Sequence, residues 1–278
     1  MDGHSRMRTL LAALVLFPLA AAAVPDEDAD HVRVSLVSEQ TALVPGTTAW
    51  LGLRLKHDPH WHTYWINPGD SGLPTKLSWT LPDGFQASEI AWPAPHRMAV
   101  GALTNFGYTG DVVLPVQIDV PESALDGATV HVAVDAKWLV CQEECIPGKG
   151  SFALDMPVRS ITANDTNVER LFSAARDMTP HAAPWSGMAH VEGDRVDVTL
   201  HTTTLSNAAS LDAFAIDRKI VANTAPKITH HPNDITLTFK KSEYFAGTPA
   251  QFAFLLHADG QSWNVTVPFD ATNASQSN

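Results

Sequence analysis

The sequence predicts an all-β protein: an antiparallel sandwich followed by a second, smaller β domain, the two joined by a short helix. Three observations carry that expectation. Apolar and polar residues alternate with period two in many short segments, clusters of Pro, Gly and Asp punctuate them, and helical spacing is convincing in only one place. Short strands separated by Pro, Gly and Asp clusters argue for an antiparallel sandwich.

Taken in order, residues 1–23 read as a secretory signal. Arg6 and Arg8 precede an apolar run, and Ala21, Ala22 and Ala23 supply small residues for cleavage. That run is shorter than the roughly 20 residues of a spanning helix, and no later stretch approaches it. A soluble extracytoplasmic protein is therefore expected, periplasmic in a Gram-negative source, with no membrane span in the mature chain. The formal net charge of −12 makes nucleic acid a poor partner and serves solubility.

Alternation then marks strands at 31–37, 50–55, 112–118, 130–134 and 151–158. Pro115, which has no N–H to donate to a ladder, places its strand near an edge or at a bulge. The first β domain is expected over 24–160. A helical connector follows over 161–182, with Thr166 and Glu169 as a capping box and Val168, Leu171, Phe172 and Ala175 as its apolar stripe. Further alternation at 195–200, 234–239, 252–256 and 263–267 gives the second domain over 183–270, ahead of a polar tail at 271–278. One large β unit is the alternative, since length is only a soft guide to domain number.

The chain holds two cysteines, Cys141 and Cys145, at the end of an apolar strand-like run. In an exported chain an even count points to a disulfide. A bridge around about five residues restricts the unfolded chain by only about 2 kcal/mol, against about 4 to 5 for a loop of a hundred. The pair is thus a poor staple, but these two residues alone leave a local staple and a redox pair equally open. Residues flanking a three-residue β connection can lie within the Cα separation that a disulfide accepts, so the pair could close without rearrangement. Glu143 and Glu144, between them, place negative charge beside the thiols and raise their pKa.

The string His57-Asp58-Pro59-His60-Trp61-His62 is the most metal-like stretch, with His60 and His62 on one side if it is extended. Irregular spacing favours structural histidines, with His57, His60 and His62 kept as candidate ligands. Asn67-Pro68-Gly69-Asp70-Ser71-Gly72 lacks the lysine and following helix of a phosphate cradle and is explained by turn chemistry. No cofactor is expected.

Three segments, 60–75 from His60-Trp61-His62-Thr63-Tyr64-Trp65 to Thr75, 90–95 (Ile90-Ala91-Trp92-Pro93-Ala94-Pro95) and 138–147 around the cysteines, together resemble the amino-terminal periplasmic domain of the DsbD family of thiol:disulfide interchange proteins, especially its suppressor-of-copper-sensitivity branch. The resemblance covers roughly 31–160. It implies an immunoglobulin-like sandwich whose cysteine pair shuttles between dithiol and disulfide. It further implies Cys145 as the sulfur that attacks a periplasmic client and Cys141 as the resolving one. Electrons would come from a thioredoxin-like donor or a separately encoded membrane electron carrier, because the family's membrane and carboxy-terminal thioredoxin-like domains have no counterpart in this sequence. Family members cover their cysteines with a loop, for which 98–108, with Phe106 and Tyr108, is the candidate here; two aromatics packing at a sandwich end are the equally open alternative. A non-catalytic binding module with a permanent staple and a histidine-based copper chaperone are the competing functions.

Overall fold

Thr48–His57 forms the middle of a five-stranded antiparallel sheet, flanked by Val32–Ser38 and Asp111–Asp119 and edged by the short strands Glu27–Ala29 and Gln86–Ala87. This computed structural model describes residues 27–270 apart from 206, 207 and 209, so the expected signal and polar tail lie outside the described residues. Period two sets the faces. Val32, Val34 and Leu36 turn inward while Arg33 is exposed, and Leu51, Leu53 and Leu55 are completely buried on the next strand. Pro115 sits opposite Gly52, and its carbonyl accepts the Ala91 N–H from the short segment that lies beyond the sheet. Its missing N–H therefore faces the thinly covered side of the sheet, where a ladder bond is least needed.

The same core is closed by a second sheet in which Thr129–Cys141 pairs with Cys145–Pro157 on one side and Lys76–Thr80 on the other. Val132, Val134, Ala136, Trp138 and Val140 point into the core on alternate positions. A third sheet of Thr63–Gly69, Leu103–Tyr108 and His96–Val100 lies beside them. This half is the immunoglobulin-like antiparallel sandwich. The other half has two four-stranded sheets, one of Gly187–Glu192, Arg195–His201, Asp234–Lys240 and Lys227–His230, the other of His181–Ala182, Gln261–Pro268, Gln251–Ala258 and Leu211–Ala215. Val196, Val198, Leu237, Phe239, Phe252 and Phe254 fill its separate core.

The helix Glu169–Asp177 buries Phe172 and Ala175 and packs with Val168 against Val113, on the outer side of the first sheet. The apolar stripe is the expected one, but the capping box is not made: Val168 occupies the N-cap and no side chain caps it. Asp165 takes that part instead. Its carboxylate accepts the Asn167 N–H at 2.9 Å, and its carbonyl accepts the N–H groups of Val168 and Glu169.

The two halves meet around Arg97. Its guanidinium pairs with both carboxylate oxygens of Asp212, donates to the Asn223 and Ala213 carbonyls, and lies 4.9 and 4.8 Å from the Phe106 and Phe214 ring centres. Phe214 belongs to the second half by sequence, yet it packs into the first core with Phe106 and Trp65. The flat fork of arginine suits this place, because it satisfies coplanar acceptors while its faces lie on rings. Arg97→Ala leaves Asp212 half-buried without its partner and should lower stability by about 3 kcal/mol in urea titration. Arg97→Lys should recover little of that loss, and full recovery by Lys would mean that charge alone matters.

Burial also shapes the acid response. His57 is buried at the end of its strand, with one ring nitrogen against the Gly110 carbonyl at 2.8 Å and the other against the Thr63 hydroxyl at 3.0 Å. Desolvation lowers its pKa and that of His62, so both imidazoles are held neutral. The unfolded chain then binds protons that the folded chain refuses. Stability is complete above the unfolded value of about 6.5 and falls as pH drops through the lowered folded values. Thermal midpoints should decline from pH 7 to 5, with a shallower decline in His62→Phe; an unchanged slope in that variant would show that its imidazole does not contribute.

Candidate functional site

The site is built at the tip of the hairpin formed by Thr129–Cys141 and Cys145–Pro157, whose register runs unbroken from Thr129 opposite Pro157 to Cys141 opposite Cys145. Gln142, Glu143 and Glu144 make the connection, and the Gln142 N–H donates to the Glu144 carbonyl at 3.1 Å. Regular pairing up to a three-residue connection brings the two Cα atoms to 4.2 Å, and the cysteines are joined as a disulfide. Gly148 stands opposite Trp138, where a Cβ would fall 2.2 Å from the indole nitrogen. A glycine there lets the Trp138 ring lie flat across the neighbouring strand just below the cysteines.

The two sulfurs occupy different environments. Cys141 is 2 % exposed, although it lies on the strand face where Asp135 and Lys137 are open to solvent. It is covered because the 61–64 segment crosses the hairpin tip. His62 and Cys141 exchange backbone hydrogen bonds, N–H to carbonyl in both directions, each at 2.9 Å. Cys145, with the acidic connection before it, is exposed.

The side chain that reaches Cys145 is Tyr64. Its hydroxyl oxygen is 3.6 Å from Cys145 Sγ, while the tyrosine as a whole is 1 % exposed. Burial is the largest influence on its pKa and raises it, partly offset by the nearby Ser71 hydroxyl, so the phenol keeps its proton at neutral pH. Gly72, at φ 92°, passes so close that a Cβ would meet the Tyr64 ring at 2.2 Å. The turn bearing Gly72 is fixed in place. Asn105, fully enclosed, accepts from the Ser71 N–H and hydroxyl, Asp70 accepts the Thr104 N–H at 2.7 Å, and Asn67 caps the Gly69 N–H at 3.0 Å. The second half also holds it: Asn223 donates to Asp70 at 2.8 Å and Asn67 donates to the Ala215 carbonyl at 2.7 Å.

The candidate cover takes a different form from a loop. Residues 96–108 make a β-hairpin of His96–Val100 and Leu103–Tyr108. Phe106 is buried between the two halves, and the Tyr108 hydroxyl donates to the Pro93 carbonyl at 2.7 Å in the core. Both rings are held inward by strand alternation and by apolar partners, so they pack as core aromatics, the alternative reading, and do not form a cover loop. The segment against Tyr64 is instead the 67–72 turn, read from sequence as turn chemistry alone. Tyr64 itself lay within the 60–75 segment and carried no signal of its role, since its partner sulfur is far along the chain.

The candidate metal ligands are dispersed in their roles. His57 engages both ring nitrogens, as above, and His60 is exposed with a left-handed φ of 72°. His62 is buried edge-on to Tyr64, ring centres 5.1 Å apart, with Nε2 unpartnered. Among the described residues no group of three or more His, Cys, Asp or Glu side chains is arranged to hold a metal ion.

What this arrangement offers is a surface disulfide with one accessible sulfur, one shielded sulfur and a phenol at the accessible one. Among the described residues no helix is long and apolar enough to cross a membrane. Residues 33–157 match the family described as thiol:disulfide interchange protein DsbD, N-terminal. A search of curated protein sequences returns no match. Among solved structures, the N-terminal periplasmic domain of ScsB from Proteus mirabilis aligns with a TM-score of 0.66 at 18% identity, over 90% of this chain and 97% of that one. The periplasmic chaperone SfaE aligns over 84% of this chain and 98% of its own at 11% identity, but with a TM-score of 0.22. The fold of both halves is therefore shared with the ScsB domain, and the stretch that matches the DsbD amino-terminal family, residues 33–157, includes the hairpin with its cysteine pair.

Proposed function

We propose that this protein passes reducing equivalents to disulfide-bonded client proteins of the periplasm, with Cys145 as the attacking sulfur and Cys141 as the resolving one. The observation that carries the division of labour is the exposure of Cys145 beside a Cys141 that is 2 % exposed. A protein disulfide is too bulky to approach the shielded sulfur in line, whereas the outer sulfur is open to it.

In the dithiol form, the Cys145 thiolate attacks one sulfur of the client. The client S–S bond breaks, and its other sulfur leaves as a thiolate that takes up a proton. Cys141 then loses its proton, attacks Cys145 Sγ and expels the client's first sulfur as a second thiolate. Two electrons have passed to the client, and the chain is left with the Cys141–Cys145 disulfide. A thioredoxin-like donor, or a membrane electron carrier encoded separately, returns the chain to the dithiol by the reverse sequence of exchanges. The electron donor, the client and any connection with copper or oxidative stress are part of this proposal and follow from the family likeness.

Cys141→Ser should accumulate a mixed disulfide between Cys145 and a client, seen as a reducible high-mass species after capture from the periplasm, while Cys145→Ser should accumulate far less. Equal trapping by the two variants would overturn the assigned order.

A redox-active pair must also be reducible. Equilibration with glutathione or dithiothreitol buffers, read by thiol alkylation, should give a potential above the roughly −300 mV of inert structural disulfides. A value well below that level would favour a permanent staple in a binding module.

A further inference from the structure

We propose that Tyr64 is a catalytic residue of the exchange, its hydroxyl donating a hydrogen bond that stabilises Cys145 as a thiolate. The inference rests on the reading of the cysteine pair as redox-active and gives that site a second working group. A sulfur in a disulfide has no proton, so in the 3.6 Å contact the phenol is the donor and Cys145 Sγ the acceptor. Disulfide sulfur accepts weakly. When the bond is reduced, the same position holds a thiolate, and a hydrogen bond to an ionised acceptor is about twice as strong as a neutral one. The contact therefore favours the ionised, attacking form of Cys145 over both its protonated form and the disulfide.

Such help is needed here, because the groups around Cys145 otherwise oppose ionisation. Glu143 and Glu144 lie exposed in its own turn, and on the facing segment His62 is buried and held neutral. Neither a cationic side chain nor a helix end, the usual means of lowering a thiol pKa, is among these neighbours. Burial pushes Tyr64's own titration upward, so its hydroxyl carries the proton at neutral pH.

The hydroxyl is also aimed. Gly72 touches the ring face, and the turn that carries it is tied to Asn105 and Thr104 on one side and to Asn223 and Ala215 of the second half on the other. Asn105 and Asn223 are thus positioning residues, and the second half contributes to the geometry of a sulfur it does not touch. A donor held in place before the thiolate forms needs no reorganisation when it does.

The test measures alkylation of Cys145 by iodoacetamide between pH 6 and 10 in the full chain carrying Cys141→Ser, with and without Tyr64→Phe. Phenylalanine keeps the ring and removes only the donor. The expected result is a pH midpoint about one unit higher in the double variant and an alkylation rate at neutral pH lower by up to about tenfold, as for loss of one charge-assisted hydrogen bond. Coincident profiles would overturn the proposal. A second measurement guards against a folding defect: in the unsubstituted, reduced protein the Tyr64 Cζ resonance should titrate with the Cys145 midpoint, and a flat resonance would overturn the proposal as surely. Neither readout needs a partner protein. A Tyr64-dependent midpoint in a chain that fails to exchange with reduced thioredoxin would support thiolate stabilisation and overturn the interchange reading instead.

Discussion

Two backbone hydrogen bonds between Cys141 and His62 organise the functional end of this protein. They fasten the hairpin tip to the start of the strand that carries Tyr64, and from that fastening follow the burial of Cys141 and the approach of the phenol to Cys145. The hairpin could close a disulfide on its own, since the pairing of its strands brings the cysteines together. Only the crossing segment makes the two sulfurs unequal. Inequality is what separates a staple, in which either sulfur serves, from an exchange centre, in which one must be reached and the other must wait.

The second half of the chain acts on this end through the 67–72 turn. Asn223 and the Ala215 carbonyl bind Asp70 and Asn67, and the Arg97–Asp212 pair between the Phe106 and Phe214 rings holds the halves together. Many of these contacts are hydrogen bonds from side chains to fixed carbonyls, which specify position more than they add stability. The aromatic packing of Phe214 into the first core supplies the apolar burial. Loosening this junction would be felt at Gly72 and Tyr64, since the turn that lies against the Tyr64 ring is the one the second half holds.

Much of the architecture was legible in the sequence because alternation with period two is a local signal. The segments around Leu53, Leu114, Val134, Val198 and Phe254 became strands with the expected faces, and the 67–72 turn has positive φ at Gly69 and Gly72 as turn chemistry required. The helix was legible from Phe172 and Ala175, but its start was not. Asp165, rather than the Thr166 and Glu169 pair, takes the free N–H groups. The cysteine pair announced itself through its spacing. Tyr64 did not, because its contact with Cys145 joins residues 81 apart in sequence and no periodicity reports a non-local pair. Phe106 was ambiguous for a related reason: in a short segment containing Gly107 and Asn105, a cover loop and a packed aromatic look alike until Arg97 and Phe214 are brought against it.

The central claim is that the exposed disulfide is made to be exchanged by proteins. Its most direct test is the second-order rate at which a reduced thioredoxin reduces the oxidised chain, compared with the rate for dithiothreitol and with the site of the transient mixed disulfide mapped by mass spectrometry after acid quench. The account predicts a thioredoxin rate at least about a hundredfold above the small thiol, with the mixed disulfide on Cys145, as expected where docking orients the attack. Reduction no faster than by dithiothreitol, or a mixed disulfide found on Cys141, would contradict it.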